Sequence, residues 1–189
     1  ILHPVGGISM VGHALNAAEA LHPRTLAVVV RHERETVAAH IASLMPGAMI
    51  VDQDEVPGTG RAVQAAVEAI DALTPLEGTV VVTYGDVPLL EAATLRELVA
   101  VHNVDSNAVT VLTARVEDPA GYGRVLRAED GTVTGIVEQK DATAEQLAVN
   151  EINSGIYAFD AAVLRSALSQ VSTDNAQGEM YLTDVLALA

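Results

Sequence analysis

The feature that most constrains the fold is a short run of β-branched residues, Thr79 to Thr83, which is followed by Gly85, Asp86 and Pro88. Its length and composition predict a buried strand, and the glycine and proline predict where that strand ends. Asp86 is therefore predicted at or just past the carboxyl end of a central strand, the edge of an open α/β sheet where ligands bind. A carboxylate there can hold a divalent cation, or it can cap the helix predicted to begin near Ala92 or fix a turn.

Strands alternate with helices through the first half of the chain. Runs of β-branched residues predict strands at 25–30, 48–51 and 79–83, and apolar residues at helical spacing predict helices at 9–21, 33–44, 59–73 and 93–102. Such alternation predicts right-handed βαβ units and a Rossmann-like, mostly parallel sheet flanked by helices. Because the first predicted element is a helix that begins after Ser9, we expect a further strand upstream of Ile1.

The second half has the pattern of an antiparallel layer. Strands at 124–127 and 132–138 flank Glu129-Asp130-Gly131, which is a hairpin signal, and further strands are predicted at 108–116 and 153–159. Asp160 is predicted to cap a helix that runs to about residue 171. Since no flexible linker or repeat separates the two halves, we predict one α/β domain over residues 1–189, with the antiparallel β layer in its second half.

The composition excludes several classes of partner. Lys plus Arg is 10 and Asp plus Glu is 25, which gives a net charge of −15, so no nucleic-acid or anionic-membrane surface is expected. No apolar run reaches the ~18 residues of a membrane span. Cysteine is absent, so disulfides and thiolate metal sites are excluded, and the six histidines are too scattered to predict a metal site.

Polar residues and glycines gather at the predicted strand ends. Gln53 has an amide that suits a pyrimidine edge, although a glutamine in a loop is commonly just solvated. The glycines of Pro57-Gly58-Thr59-Gly60 open a predicted helix, where they can admit a ligand or simply form a turn. The same two readings hold for Gly121-Tyr122-Gly123, and the side chains of Glu138 and Asn153 suit sugar hydroxyls or solvent.

Taken in chain order, these motifs cover nearly the whole chain. Together they resemble the uridyltransferase domain of the bacterial bifunctional N-acetylglucosamine-1-phosphate uridyltransferase / glucosamine-1-phosphate acetyltransferase. Each motif alone is short, but their shared order is specific. The segments that carry the resemblance are Ile1-Leu2-His3, Gln53 with Gly58-Thr59-Gly60, Tyr84-Gly85-Asp86-Val87-Pro88-Leu89, Gly121-Tyr122-Gly123-Arg124, Ile136-Val137-Glu138-Gln139-Lys140-Asp141-Ala142-Thr143, Glu151-Ile152-Asn153-Ser154-Gly155 and 175–184.

The resemblance implies a role for particular residues. Asp86 is implied to bind a catalytic Mg²⁺, and the uracil of the nucleotide is implied to lie against Gln53, Gly58 and Thr59. The N-acetylglucosamine moiety is implied to lie against a second set, namely Tyr84, Gly123, Glu138 and Asn153, with Tyr181 and Thr183 as additions. The implied substrates are UTP and N-acetylglucosamine 1-phosphate, and the implied product serves peptidoglycan and lipopolysaccharide synthesis in the cytoplasm.

The resemblance also implies parts of the family that this sequence does not contain. The glycine-rich loop and the cations that grip the triphosphate are expected before Ile1, and a second metal ligand is expected after Ala189. The β-helix domain through which the family trimerises is expected beyond the chain as well. We therefore expect a fragment of a larger enzyme, with little activity by itself.

The implied reaction explains why no catalytic histidine or nucleophile stands out in the sequence. A sugar phosphate oxygen is already anionic near neutral pH, so its in-line attack on the α-phosphorus of UTP needs positioning and charge neutralisation rather than a base. Two alternatives stay open: a uridylyltransferase for another sugar 1-phosphate, and a non-catalytic nucleotide-sugar-binding module. A dinucleotide oxidoreductase is disfavoured, since no Gly-x-Gly-x-x-Gly follows a predicted strand.

Overall fold

The computed structural model describes residues 1–189, and it confirms the α/β fold with a parallel and an antiparallel part. After a small hairpin of β1 (Pro4–Val5) and β2 (Ile8–Ser9), the first half alternates helices with strands. Its elements are α1 (Met10–Glu19), β3 (Ala27–Val30), α2 (Arg34–Leu44), β4 (Met49–Asp52), α3 (Thr59–Asp71), β5 (Thr79–Val82) and α4 (Ala92–Val104).

The second half contributes the antiparallel layer and the closing helices. Its strands are β6 (Val109–Arg115), β7 (Arg124–Arg127), β8 (Val133–Val137) and β9 (Glu151–Asp160). Its helices are α5 (Ala144–Leu147), α6 (Ala161–Leu168) and α7 (Val185–Leu188), the last preceded by a 3₁₀ turn at Leu182–Asp184. Ser9 and Asp160 cap α1 and α6 through their side chains, as predicted.

The parallel part is smaller than predicted. β3 and β4 form one parallel pair, whereas β5 pairs antiparallel with β9 and with no other strand. With a partner on one side only, β5 is an edge strand whose four residues are all half-buried, so the predictions of a central and of a fully buried strand are both wrong. The β-branched composition identified the strand, but it could not identify its neighbours.

The long strand β9 organises the second sheet. β6 pairs along one edge of β9, while β5 and β7 follow one another along the other edge. The register pairs β5 with Tyr157–Asp160 and β7 with Ile152, so residues 153–156 of β9 face a gap between these two strands. We call this gap the notch, and it is where the polar residues after β5 and before β7 meet.

Three groups of apolar side chains hold these layers together. The largest core joins β9 to α6 and to the segment that precedes α7, and it includes the stacked rings of Tyr157 and Phe159, whose centroids are 5.3 Å apart. A second core packs α1 and α2 on β3, and a third packs α1 and α4 on β9. Every helix is too short or too polar to cross a bilayer.

Candidate active site at the notch

Asp86 lies beyond the carboxyl end of β5, with its side chain exposed. The carboxylate makes no hydrogen bond or ion pair, and α4 begins after Glu91 without a side-chain cap. The alternative role of Asp86 as a helix cap is therefore wrong, and its oxygens face solvent.

Tyr84 connects Asp86 to the antiparallel layer. Its ring lies over the backbone of Gly155 in the notch, so close that a Cβ built on Gly155 would be 1.9 Å from Cε2 of the ring. Burial of the hydroxyl raises the pKa of Tyr84, and the negative charges of Glu138 and Asp86 raise it further. Both carboxylates therefore lie near this phenol, on the same side of the molecule.

The sugar-binding residues implied by the motifs meet around the same notch. The backbone N–H of Asn153 donates to the carbonyl of Gly123 at 2.9 Å, which anchors the turn before β7 to β9. A Cβ on Gly123 would lie 3.4–3.5 Å from the carboxylate oxygens of Glu138, so the turn and this side chain are in close contact. Thr183 donates its hydroxyl to Glu138 Oε1 at 3.3 Å. These four residues thus form one connected group.

The implied uracil-binding residues form a loop that is held by its own hydrogen bonds. Gln53 donates through Nε2 to the carbonyls of Val56 and Gly58, at 3.0 and 3.1 Å. Gln53 is therefore not simply solvated, since its amide shapes the loop and its Oε1 makes no bond within the chain. An acceptor in that position suits the imide N–H of uracil.

The glycines of this loop allow a close backbone approach. Gly58 has a φ of +117°, and a Cβ there would lie 2.2 Å from the carbonyl oxygen of Met180. Gly60 N–H donates to Met180 O at 2.8 Å, and Leu182 N–H donates to the Thr59 hydroxyl oxygen at 3.1 Å. The loop is thereby joined to the segment that carries Thr183.

Tyr181 lies in a polar network beside the connected group of Gly123, Glu138, Asn153 and Thr183. Its buried side chain accepts a hydrogen bond from Gln177 Nε2 at 2.9 Å, and Lys140 Nζ donates to Oε1 of the same glutamine. The Ala176 N–H donates to Asp141 Oδ1 at 2.8 Å. Two loops are therefore tied together next to Glu138.

The electrostatics of this region are dominated by carboxylates. Burial raises the pKa of Glu138, while the Thr183 hydroxyl lowers it and the charges of Asp141, Asp184 and Glu179 raise it again. Burial and the charge of Asp141 likewise raise the pKa of Asp184. Such groups accept hydrogen bonds from sugar hydroxyls, but they repel phosphate unless a cation stands between them.

Two of the cavities in the molecule border these elements, and the smaller of the two lies beside Glu138. It measures about 190 Å³ and is lined by Glu138, Tyr181 and the nearby acidic side chains. The larger cavity, about 380 Å³, lies at the opposite end of β5 against Thr79, His102 and Asp160. None of the predicted site residues lines the larger one.

The residues present fit Mg²⁺ only as part of a larger ligand set. No group of three or more His, Cys, Asp or Glu side chains is arranged to hold a metal ion. Asp86 is an exposed, unpaired carboxylate, however, and Mg²⁺ is commonly held by one or two carboxylates together with substrate phosphates and water. Asp86 therefore suits a metal that arrives with a nucleotide.

Comparison with known sequences decides the family. The sequence profile of the nucleotidyl transferase family matches residues 2–189. The chain belongs to this family. This nucleotidyl transferase chain is 68% identical over 189 residues to the bifunctional protein GlmU of Pseudarthrobacter chlorophenolicus, and 67% and 61% identical over 189 residues to those of Paenarthrobacter aurescens and Kineococcus radiotolerans. In each case the whole chain is covered, and it spans 38% of the length of the relative.

The fold of this nucleotidyl transferase chain also occurs in solved structures of low sequence identity. A structure of UDP-glucose pyrophosphorylase complexed with UDP-glucose matches 98% of this chain and 76% of that chain, with a TM-score of 0.77 and 16% sequence identity. The apo form of a UDP-glucose pyrophosphorylase matches with a TM-score of 0.76 at 14% identity. At this identity the similarity shows the shared fold, and the family predicted from the motifs is confirmed by the closer sequences.

Some residues of the site were missed by the sequence analysis. Met180 supplies backbone contacts that no side-chain pattern indicates. Tyr157 is fully buried beside Tyr84, and its hydroxyl has no hydrogen-bond partner within the chain. Gly155 did leave a signal, because a glycine inside a predicted strand indicates a bulge or a close approach.

Proposed function

We propose that this chain forms the uridylyl-transferring part of an enzyme that makes UDP-N-acetylglucosamine and pyrophosphate from UTP and N-acetylglucosamine 1-phosphate. A single observation carries the proposal: the loop implied to bind uracil and the residues implied to bind the sugar are directly linked. Thr59 is bonded to Leu182, and the adjoining Thr183 is bonded to Glu138. A nucleotide sugar needs both sites in one continuous cleft.

In this reaction an oxygen of the sugar phosphate forms a bond to the α-phosphorus of UTP, and the bond to the bridging oxygen breaks to release pyrophosphate. The chain's residues hold the two substrates in line, since the attacking oxygen is already anionic. Asp86 is proposed to hold Mg²⁺, which supplies positive charge to the phosphates when bound.

Charge neutralisation within this chain is limited. Arg61, beside the uracil loop, is held by Asp54 at 2.7 Å and by Glu68 at 3.1 Å. Lys140, the single lysine, is bonded to Gln177. With these cations engaged, we propose that the 189-residue chain binds the nucleotide sugar but turns over slowly, which a pyrophosphate-release assay measures.

Binding measured by calorimetry tests the substrate class. UDP-N-acetylglucosamine and UDP-glucose differ only at the 2-position of the sugar, so UDP-glucose is the matched control. In the presence of Mg²⁺ we expect UDP-N-acetylglucosamine to bind roughly tenfold tighter or more, since one hydrogen-bonding group is worth ~1 kcal/mol or more at a buried site. Equal affinities would favour another sugar 1-phosphate as the substrate. No binding of either ligand would contradict the proposal.

A further inference from the structure

We propose that Gly155 is a positioning residue of the sugar subsite, because it seats the ring of Tyr84 and orients the side-chain amide of Asn153. This inference rests on the proposed function, in which both side chains contact the sugar. Gly155 has two separate tasks, one through its missing side chain and one through its backbone N–H.

The first task is steric. A Cβ on Gly155 would lie 1.9, 2.6 and 2.7 Å from the Cε2, Cζ and Cδ2 atoms of Tyr84, distances that no side chain can occupy. The φ of Gly155 is +77°, a conformation that other residues adopt only with strain. Glycine at this position therefore lets the Tyr84 ring approach the backbone of β9 at the notch.

The second task is a hydrogen bond. The N–H of Gly155 donates to Oδ1 of Asn153 at 2.9 Å, and this bond orients the side-chain amide. The amide nitrogen of Asn153 is a donor only, with two N–H groups, and its candidate acceptors are the neighbouring buried hydroxyl of Tyr157 and an oxygen of the ligand. We infer that the ligand presents an oxygen acceptor to Asn153, either a sugar hydroxyl or an acyl carbonyl.

A β-bulge produces both effects. The register between β6 and β9 passes from Leu112–Ile156 to Thr113–Asn153, which leaves Ser154 and Gly155 without partners in β6. The Ser154 hydroxyl bridges the two strands at the bulge: it donates to Leu112 O at 2.6 Å and accepts from Ile156 N–H at 3.3 Å. Bulges of this kind redirect side chains next to active sites.

Binding of the uracil moiety by the loop of Gln53 and Gly58 should not depend on Gly155. Gln53 donates to the carbonyls of Val56 and Gly58, and the backbone of Gly58 contacts that of Met180. None of these contacts involves β9. The affinity for UDP therefore reports on the uracil loop, whereas the affinity for UDP-N-acetylglucosamine reports on both ends. The ratio of the two isolates the sugar subsite.

The test compares Gly155→Ala with Gly131→Ala in the 189-residue chain. Gly131 has a similar φ of +87°, but it lies in the hairpin turn with no atom within 4 Å of a built Cβ, so it controls for backbone strain alone. We expect both variants to lose stability in urea unfolding. Only Gly155→Ala should weaken UDP-N-acetylglucosamine binding, by roughly 10- to 50-fold, with the affinity for UDP unchanged within about twofold.

A second pair of variants separates the two tasks. In a Tyr84→Ala background the ring is gone, so Gly155→Ala should cause a smaller further loss of UDP-N-acetylglucosamine affinity. Unchanged affinity in Gly155→Ala, or equal losses for UDP and UDP-N-acetylglucosamine, would overturn the positioning role while the proposed function stands. If the unsubstituted chain binds no UDP-sugar, the proposed function fails first and this role fails with it.

Discussion

At the scale of single residues, Asp86 combines exposure with a lack of partners. Because its carboxylate makes no hydrogen bond or ion pair within the fold, replacing it should leave stability unchanged, and any loss of function should reflect weaker binding of metal and ligand. We predict that Asp86→Asn abolishes the Mg²⁺-dependent part of UDP-N-acetylglucosamine affinity. Calorimetry with Mg²⁺ and with EDTA measures that difference directly.

Asp105→Asn is the matched control for this prediction. Asp105 is also exposed, but it lies at the end of α4, away from the carboxyl end of β5. The control should keep the Mg²⁺-dependent affinity of the unsubstituted chain, and both variants should unfold at its midpoint temperature. A Mg²⁺ effect that persists in Asp86→Asn would remove Asp86 from the proposed metal site.

Residues could be predicted from the sequence where their chemistry follows from position along the chain. Asp86 follows a β-branched strand, and this local fact was enough to place it at a sheet edge. Gly155 and Met180 act through tertiary contacts with Tyr84 and Gly58, and nothing local specifies those partners. The roles of Gln53 were predicted incompletely for the same reason, since its loop-shaping bonds depend on the folded backbone.

At the scale of elements, β9 is the strand on which the site depends, and Glu151 joins it to its neighbours. The Glu151 side chain is buried, accepts from Arg127 at 2.6 and 2.9 Å on β7, and accepts from the Thr113 hydroxyl at 2.8 Å on β6. The hydrogen bonds from Arg127 hold the pKa of Glu151 at about 2, below its ordinary 4.5.

This network predicts a pH-dependent contribution to stability. The unfolded chain takes up the proton first as pH falls, so the stabilisation is complete above pH 4.5 and is lost towards pH 2. Glu151→Gln should therefore lower the free energy of unfolding at pH 7 by about 1.5–3 kcal/mol, with a smaller difference at pH 3. Urea titrations at the two pH values measure both differences.

Glu129→Gln serves as the control, because Glu129 is exposed in the turn of the same β7–β8 hairpin. Its effect on the free energy of unfolding should stay within ~0.5 kcal/mol at either pH. An equal loss in the two variants, or a Glu151→Gln loss that grows at pH 3, would show that the charge of Glu151 does not stabilise the sheet.

Most of the elements were predicted from the sequence with good bounds, but the small β1–β2 hairpin and the pairing of the strands were not. The hairpin of β7 and β8 followed from the turn residues between two β-branched runs, which is local information. The partner of β5 lies far along the chain in β9, and no local pattern encodes it. Helix α5 was missed because it is short and polar, although Thr143 and Gln146 form a capping box that could have indicated it.

At the scale of the whole molecule, the excess of acidic residues sets the response to salt. The net charge of −15 produces self-repulsion at pH 7, and the carboxylates around Glu138 concentrate part of it beside the site. The ion pairs that salt also weakens are mostly exposed, and each contributes only ~0–1 kcal/mol. Screening of the repulsion should therefore outweigh the loss of these pairs.

We predict that raising NaCl from low to physiological ionic strength and above, where the Debye length falls below ~10 Å, stabilises the chain by on the order of 1 kcal/mol at pH 7. Urea unfolding midpoints at both salt concentrations measure this change. The same salt step near pH 4.5, the isoelectric point of the sequence, is the control, since little net charge remains there to be screened. Stabilisation at pH 7 that disappears at pH 4.5 identifies charge repulsion as the cause, whereas equal stabilisation at both pH values would assign it to a general salt effect on apolar burial.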